Sequence, residues 1–271
     1  MDSPFETIRI DKADGITTLM FNRPEKKNAM SPQLHREMRE ALEILEDDEE
    51  TRVLVLTGAG DSFCAGQDLH EFFAKLEDKP IERRRASKIS AEWQGVKLRL
   101  FAKPTIAAVN GWCFGGAFIP LAACDLAIAA EEAKFGLSEI NFGNFPGGQV
   151  TVALEKLLRP RDFLYYAMTG ETFDGRTAAA MGLVNFAVHR KDLDDAVRKL
   201  AGKLLEKDPV ALRQVKEVYK YGEQMNWEQA YAWAMAKGNE LTFHQDGAWV
   251  NKGIAQFRDK KYKPGLGSFK K

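Results

Sequence analysis

The order of apolar and polar positions predicts a first half rich in strands and a second half made mainly of helices. Apolar and polar residues alternate over residues 5–22 around an Asp-Gly turn, which predicts a hairpin. Ser31 followed by Pro32 predicts the start of a helix. Short β-branched apolar runs predict buried parallel strands at 52–58, 104–110 and 125–129. Helical spacing predicts helices at 70–103, 117–124, 175–182, 191–206, 209–221 and 227–240. No repeat or low-complexity linker divides the 271 residues, so we expect one α/β core with a C-terminal helical extension.

Charge and cysteine content narrow the classes of function. The chain has 39 Lys and Arg against 39 Asp and Glu, which gives no general electrostatic reason to expect nucleic acid or an anionic membrane as a partner. Its three cysteines have no CxxC spacing, so neither a disulfide framework nor a zinc site is expected. The N-terminus has no basic segment followed by an apolar stretch, and no apolar run has spanning length. These features predict a soluble, cytoplasmic protein.

Two glycine-bearing loops are candidates for ligand binding. The stretch at 59–69 is predicted to be a loop that leaves the first predicted parallel strand, and it contains Ala-Gly-Gln-Asp-Leu at 65–69. Phe-Gly-Gly-Ala-Phe at 114–118 follows the second predicted parallel strand. Glycine lets backbone N–H groups approach a ligand closely, and such groups can stabilise an oxyanion or an enolate. Neither loop has the spacing of a phosphate-binding or dinucleotide-binding motif. Taken alone, each loop is better explained as an ordinary turn that closes a strand.

Glu139 is the candidate for proton transfer. Apolar and aromatic residues flank it at 135–143, and burial among them would raise its pKa toward the range that suits acid–base chemistry. Its spacing alone favours a surface glutamate at the end of a strand. The four scattered histidines lack metal-ligand spacing, and Ser62 and Ser138 lack a nucleophile elbow. We therefore expect neither a metal site nor a serine hydrolase.

Four motifs occur in the order typical of the crotonase, or enoyl-CoA hydratase/isomerase, superfamily. They are Asn-Arg-Pro at 22–24 with Met30, Ala-Gly-x-Asp-Leu at 65–69, Asn-Gly-x3-Gly-Gly at 110–116 and Phe-Gly-x2-Glu-x3-Gly at 135–143. The chain resembles this superfamily over nearly its whole length, which reverses the simpler interpretations of the two loops and of Glu139. The resemblance implies an α/β crotonase-type spiral of ββα units. It also implies a core over 1–205 and a C-terminal helical region over 206–271, packed in a trimer or a dimer of trimers.

The resemblance assigns roles to single residues. The backbone N–H groups of Gln67 and Gly116 would form an oxyanion hole, and Glu139 would transfer protons. Contacts with coenzyme A are expected at Lys26, Ala29, Ala65, Asp68 and Leu69. An acyl pocket is expected from Phe72, Ile119, Ser138, Phe142, Gly147, Tyr231 and Trp233. Coenzyme A is part of the substrate, so the resemblance implies no separate cofactor and no metal.

Within the superfamily, the chain is similar to the hydroxycinnamoyl-CoA hydratase-lyases, which convert feruloyl- or coumaroyl-CoA to an aromatic aldehyde and acetyl-CoA. The similarity lies in the residues at 110–116, 135–141, 165–170 and 263–266. Hydratases with two catalytic glutamates carry one of them at the position of Ile119. Since only Glu139 remains of that pair, it would serve every proton transfer of hydration and cleavage.

The chain departs from those lyases around the acyl group. They carry a small hydroxyl residue at the position of Ile119 and methionine at that of Gln67. One phenol-contacting tyrosine corresponds to Phe72 and a second falls near Trp233 or Met235, so Tyr231 on the same helix is the candidate replacement. The residues at 142 and 144–147 also differ from the usual tryptophan and Ile-Pro-Pro-Gly, which implies a reshaped pocket.

These observations predict hydration and retro-aldol cleavage of a 4-hydroxycinnamoyl-CoA to vanillin or 4-hydroxybenzaldehyde and acetyl-CoA. A hydratase or double-bond isomerase that stops before cleavage is the alternative among enzymes, because some isomerases of the family also use a single glutamate. A non-catalytic acyl-CoA-binding or RNA-associated protein is the alternative from another class. Retention of Glu139 with both glycine loops argues against it, and the balanced charge argues against RNA.

Overall fold

The computed structural model describes residues 5–261, whose chain forms two sheets enclosed by helices. The strands are β1 Ile8–Ala13, β2 Ile16–Phe21, β3 Val53–Gly58, β4 Ser62–Cys64, β5 Thr105–Val109, β6 Trp112–Phe114, β7 Leu126–Ala130, β8 Lys134–Gly136, β9 Thr172–Asp174 and β10 Phe186–Val188. The α-helices are α1 Pro32–Asp47, α2 Pro80–Glu92, α3 Phe118–Ala123, α4 Val150–Leu154, α5 Pro160–Thr169, α6 Gly175–Ala180, α7 Leu193–Leu205, α8 Pro209–Gly222, α9 Trp227–His244 and α10 Ala255–Arg258. The motif at 263–266 and the end of the region 206–271 lie outside the described residues.

From β3 to β8, consecutive strands alternate between the two sheets. The larger sheet has the order β1-β2-β3-β5-β7-β10, and the smaller sheet has the order β4-β6-β8-β9. All neighbours are parallel except the β1/β2 hairpin and the β8/β9 pair. Each turn of the chain therefore adds one strand to each sheet before a helix returns it. This arrangement confirms the predicted spiral of ββα units.

The predicted elements of the larger sheet and the long helices are present. The hairpin, β3 and β5 fall within the predicted ranges, and β7 extends one residue beyond its own. Ser31 caps α1 by accepting a hydrogen bond at 3.2 Å from the Leu34 N–H. Helix α1 packs its apolar face into the core because Leu34, Met38 and Leu42 recur on one side and are buried. The boundary predicted at 205/206 falls between α7 and α8, and the division into a core and a C-terminal region remains a prediction.

The smaller sheet is absent from the sequence prediction. Strands β4, β6, β8 and β9 have three residues each, which is too short for a period-2 pattern. Part of the stretch at 59–69, predicted to be entirely loop, is therefore a strand. The prediction was wrong there because the strand is recognisable only by its pairing with β6.

The C-terminal helices join the core through a buried ion cluster. On α8, Lys216 Nζ lies 2.9 Å and Lys220 Nζ 2.7 Å from the carboxylate of Asp125, which precedes β7. Helix α9 packs on α8 but has no buried residue, and the side chains of Trp227 and Tyr231 are exposed. Among residues 5–261, no helix is both long and apolar enough to cross a membrane.

Candidate active site

Three segments of the site follow three neighbouring parallel strands of the smaller sheet. The loop that contains Gly66 and Gln67 follows β4, the Gly115–Ala117 turn follows β6, and the turn that carries Glu139 follows β8. These strands pair in that order, so the segments that leave their carboxyl ends lie side by side. The strands that the sequence did not predict are those that bring the predicted catalytic residues together.

The first loop leaves the Gln67 N–H free of the sheet. Met30 bridges this loop in parallel, donating its N–H to the Gly66 carbonyl at 2.7 Å and accepting at 3.0 Å from the Asp68 N–H. A parallel bridge of this kind uses the groups that flank the central residue. The N–H of Gln67 therefore points away from Met30, as an oxyanion donor must.

The two glycine loops are in close contact at Gly66. Its φ is +91°, and a β-carbon there would lie 2.7 Å from the Phe114 carbonyl oxygen and 3.2 Å from the Gly116 nitrogen. Only glycine fits both the backbone angle and this separation. Gly116 is the second residue of a 3-10 turn, and N–H groups of a first turn have no partner within the helix. The candidate donors Gln67 and Gly116 are thus on adjoining loops.

The carboxylate of Glu139 lies on the same side as the second loop. A β-carbon built on Gly115 would be 3.2 Å from Glu139 Oε1, while Oε2 is buried and has no hydrogen-bond partner within residues 5–261. Burial raises the pKa of Glu139 above its usual value of 4.5. A carboxyl group with a raised pKa exchanges protons readily near neutral pH. Its position agrees with a proton-transfer role.

The segments predicted to contact coenzyme A are held together by Arg23 and Asn28, whose roles the sequence did not indicate. Arg23 Nη1 donates to the Ala29 carbonyl at 2.5 Å and to Asp68 Oδ2 at 2.9 Å. The other oxygen of Asp68 caps a short helical turn by accepting from two N–H groups. Asn28, at φ +57°, donates to the carbonyls of Ala59 and Ser62.

These contacts place all five residues predicted to contact coenzyme A on two adjoining segments, 26–29 and 65–69. The Ala65 N–H donates to the Lys27 carbonyl at 2.9 Å, next to the exposed Lys26. Leu69 is exposed beside Asp68, whose own carboxylate is committed to Arg23 and to the helix cap. The structure therefore gives Asp68 a positioning function in the loop. Contact of Lys26, Ala29, Ala65, Asp68 and Leu69 with coenzyme A stays a prediction.

A cavity of about 650 Å³ lies between the core and α8, within the usual size range of ligand pockets. Of the predicted acyl-pocket residues, Ile119 lines it. Gln94 and Gln149 also line it, and each has a buried side-chain oxygen without a partner among the described residues. The amide of Gln149 lies against Gly95, where a β-carbon would collide with it at 2.4 Å. Sequence patterns gave no signal for either glutamine.

The other predicted acyl-pocket residues lie in several places. Phe72 is buried with its ring 5.5 Å from that of His35, and Ser138 is half-buried beside Glu139. Phe142 is 72% exposed, and Gly147 is half-buried in the loop that follows it. Contact of these four residues with the acyl group stays a prediction.

The two aromatic candidates on α9 differ in their surroundings. Tyr231 is 65% exposed, so its phenol is open to solvent in the single chain. Trp233 packs against α8, where its indole N–H donates to the Glu217 carbonyl at 3.3 Å and Lys237 lies 4.8 Å above its ring. Within one chain, Trp233 is therefore committed to holding α9 on α8.

The fold and the site define a class of protein: an α/β spiral that can hold an enolate oxygen between two backbone N–H groups while one carboxyl group moves protons. The family model described as enoyl-CoA hydratase/isomerase matches residues 11–265. The chain belongs to the enoyl-CoA hydratase/isomerase family, as its four motifs predicted, and is an enzyme.

Individual relatives agree with this membership. Hydroxycinnamoyl-CoA hydratase-lyase of Pseudomonas fluorescens is 47% identical over 269 residues, which cover 98% of this chain and 98% of that protein. Crotonyl-CoA hydratase of Syntrophomonas wolfei is 33% identical over 229 residues, covering 83% of this chain and 86% of that protein. The crystal structure of an enoyl-CoA hydratase from Mycobacterium smegmatis matches with a TM-score of 0.86 at 29% identity, covering 94% of this chain and 97% of that one.

Proposed function

We propose that the enzyme hydrates 4-hydroxycinnamoyl-CoA thioesters and then cleaves the product by a retro-aldol reaction to an aromatic aldehyde and acetyl-CoA. The observation that carries this proposal is the position of Glu139, a carboxylate without a hydrogen-bond partner at Oε2, against the loop that presents the Gly116 N–H. The 47% identity to a hydroxycinnamoyl-CoA hydratase-lyase supports this substrate class and both steps.

Hydration needs one base and one acid in succession. The Glu139 carboxylate takes a proton from water as the water oxygen bonds to Cβ, and the electron pair of the double bond moves toward the thioester oxygen. The N–H groups of Gln67 and Gly116 hold the resulting enolate, and protonated Glu139 then delivers the proton to Cα. Ile119 stands at the position of the second glutamate in two-glutamate hydratases, so Glu139 performs both transfers.

Cleavage uses the same groups in the same order, first as a base and then as an acid. The Glu139 carboxylate removes the β-hydroxyl proton, the carbonyl of the aldehyde forms, and the Cα–Cβ bond breaks. The electron pair of that bond becomes the enolate of acetyl-CoA, held by the same two N–H groups, and Glu139 returns the proton to Cα. Every proton and charge in this scheme has a protein group or water to carry it, so we propose that no metal or redox cofactor is needed.

The cavity lined by Ile119 offers space for the aromatic ring of the substrate. A substituted phenyl ring fits comfortably in about 650 Å³. The side-chain oxygens of Gln94 and Gln149, which have no hydrogen-bond partner among the described residues, are suited to accept a hydrogen bond from a phenol hydroxyl. We propose that these hydrogen bonds replace the tyrosine contacts that Phe72 cannot make. On the other side of the site, Lys26, Ala29, Ala65 and Leu69 are proposed to contact coenzyme A.

We further propose that the enzyme assembles as a trimer or a dimer of trimers in the cytoplasm. Helix α9 has no buried residue in the single chain, and its exposed aromatic side chains, Trp227 and Tyr231, are of the kind enriched in interfaces. Analytical ultracentrifugation tests the assembly, and cell fractionation tests the compartment.

A hydratase or isomerase without cleavage is the second candidate, and the 33% identity to a crotonyl-CoA hydratase favours it as the alternative. Incubation of the purified enzyme with feruloyl-CoA, without added cofactor and after dialysis against EDTA, separates the two. The proposal predicts equal amounts of vanillin and acetyl-CoA by mass spectrometry. A hydrated or isomerised thioester as the only product assigns the second candidate, and loss of activity on EDTA treatment contradicts the metal-free scheme.

A further inference from the structure

The side chain of Gln67 turns away from solvent into a hydrogen-bonded chain that the reaction scheme does not use. Its Oε1 lies 2.8 Å from His35 Nε2, and its Nε2 donates to Ser90 Oγ at 3.3 Å. Behind it, Trp93 Nε1 lies 2.9 Å from His35 Nδ1. The chain therefore runs from Trp93 through His35 and Gln67 to Ser90.

The directions of these hydrogen bonds follow from the chemistry of the groups. An indole N–H can only donate, so His35 Nδ1 is an acceptor and the ring proton is on Nε2. His35 Nε2 therefore donates to Gln67 Oε1, which fixes the Gln67 amide with its oxygen toward α1 and its nitrogen toward Ser90. Burial lowers the pKa of His35 to about 4, so the ring is neutral at physiological pH.

Rigid parts of the core hold the Trp93–His35 end of the chain. His35 on α1 and Trp93 have no exposed surface, and the ring of Phe72 stacks edge-on against His35 at 5.5 Å. Such side chains keep one rotamer because close packing leaves no room for another. His35 is thus a fixed point against which Gln67 is placed.

Gln67 also contacts the second glycine loop. A β-carbon built on Gly116 would lie 3.4 Å from Gln67 Cγ and 3.5 Å from its Nε2. The side chain therefore packs behind Gly116 while the backbone of the same residue presents the first N–H. Fixing this one side chain fixes the relative position of the two candidate oxyanion donors.

We propose that His35, supported by Trp93, is a positioning residue that sets the geometry of the oxyanion hole through the side chain of Gln67. This inference rests on the assignment of Gln67 and Gly116 as oxyanion donors in the proposed function. His35 contacts neither the substrate nor the reacting atoms in this scheme. Its effect reaches the thioester through the Gln67 backbone N–H.

A spectroscopic test measures the hydrogen bonds of the oxyanion hole without catalytic turnover. Hydrogen bonds to the thioester oxygen polarise bound 4-hydroxycinnamoyl-CoA and shift its absorbance to longer wavelength. Using Glu139→Gln to stop the reaction, we expect the double variant with His35→Leu to lose at least half of the shift. His35→Gln, whose amide can still donate, should restore part of it. A full shift in the folded His35→Leu variant overturns the proposal.

Two further variants separate positioning from general destabilisation. Thr17→Val removes a buried hydrogen bond to Thr51, 2.7 Å long, in another part of the core, so it should lower stability and leave the shift unchanged. If Thr17→Val reduces the shift as much as His35→Leu does, the proposal is overturned. Should His35→Leu fail to fold, Trp93→Phe, which removes the donor to His35 together with part of the buried ring, must reduce the shift more than Thr17→Val does for the proposal to stand.

Kinetics give an independent readout. His35→Leu is expected to lower kcat by about 10²-fold with little change in KM, because misplaced donors weaken the transition state more than ground-state binding. In a Gln67→Met background, the same substitution should change kcat by less than about twofold, since no side-chain amide remains to position. An equal loss in both backgrounds overturns the proposal. Absence of aldehyde from the wild-type enzyme instead contradicts the proposed function and leaves the spectroscopic test applicable.

Discussion

The carboxylate of Glu139 lies against the backbone of Gly115, so close that a β-carbon on Gly115 would come within 3.2 Å of Glu139 Oε1. One carboxylate oxygen is thereby directed at the loop that supplies an oxyanion donor, and the other is buried without a partner within residues 5–261. Burial of this carboxylate affects both the stability and the activity of the enzyme. Measurements at different pH values distinguish the two effects.

Replacement of Glu139 by Gln should raise stability at neutral pH. Burial raises the pKa of Glu139 in the folded state above 4.5, so the folded protein holds this proton more tightly than the unfolded chain does. The stability from that proton is fully present below about pH 4.5 and is lost as pH rises through the folded pKa. Glu139→Gln should therefore melt at a higher temperature than the wild type at pH 7, with the difference vanishing at low pH.

Glu37→Gln is the matched control with the opposite sign. Burial acts on Glu37 as well, but hydrogen bonds from Thr7 outweigh it and lower its pKa. Its carboxylate stabilises the fold above the unfolded pKa, and this contribution is lost as pH falls through the folded value. Melting curves between pH 4 and pH 8 should show the wild type more stable than Glu37→Gln at the upper end. The same sign for both variants would contradict the assignment of the Glu139 shift.

The activity of the wild type should fall on the acid side through a pKa above 4.5. Glu139 must be ionised to take a proton from water, and burial raises its pKa. Glu139→Gln should lose about 10²- to 10⁴-fold in kcat, and its residual rate should lack this acid limb. A pH profile of kcat/KM tests both statements. An unchanged limb in the variant would assign the titration to another group.

Replacement of Gly66 by alanine should lower activity by more than the loss of stability alone explains. Alanine at φ +91° is strained by about 1–2 kcal/mol, and its β-carbon would also push the Phe114 carbonyl from 2.7 Å. Separation of the two loops should cost about 10²-fold or more in kcat. Gly182→Ala, at φ +84° with its nearest contact at 3.7 Å, should lose similar stability and keep its activity. Equal activity of the two variants would refute the role given to loop contact.

The phenol contact proposed for Gln149 predicts a change in substrate preference. Gln149, which lines the cavity, has a buried side-chain oxygen without a partner among the described residues, and Gln149→Leu removes this oxygen while keeping a side chain of similar size against Gly95. The variant should bind 4-hydroxycinnamoyl-CoA about tenfold more weakly, while its affinity for cinnamoyl-CoA, which lacks the hydroxyl, should be unchanged. Titrations in a Glu139→Gln background measure both affinities. Parallel losses for the two ligands would show that Gln149 does not contact the hydroxyl.

The larger sheet apart from β10, and the long helices apart from α5, were predictable because their apolar residues recur over many positions. Helix α1, with Ser31 at its cap and a buried stripe of leucines, carries its own start signal and its own face. The smaller sheet was not predictable, since three residues such as Ser62–Cys64 carry no period and are strands only through pairing with a distant segment. Local sequence patterns therefore predicted the longer strands and helices, but not the short strands that position the site.

The same division holds for the site. Glu139 and the glycine loops were identified by motif, and each alone favoured an ordinary turn or a surface carboxylate. Arg23 lay in the first motif without an assigned role, and Asn28 and His35 lay in none, because their roles depend on partners between 5 and 58 residues away in the chain. His35 is a satisfied core residue, and its partner Gln67 is what connects it to the site.

Hydration followed by cleavage, with Glu139 carrying the protons, is tested most directly by the mass of the acetyl-CoA formed from feruloyl-CoA in D2O. The wild type and Glu139→Gln are compared. Hydration places one solvent deuteron on Cα, and protonation of the enolate after cleavage places a second. The account predicts that the wild type releases acetyl-CoA carrying two deuterons together with an equal amount of vanillin, and that Glu139→Gln forms both at least about 10²-fold more slowly. A hydrated thioester with a single deuteron and no vanillin, or full turnover by Glu139→Gln, would contradict it.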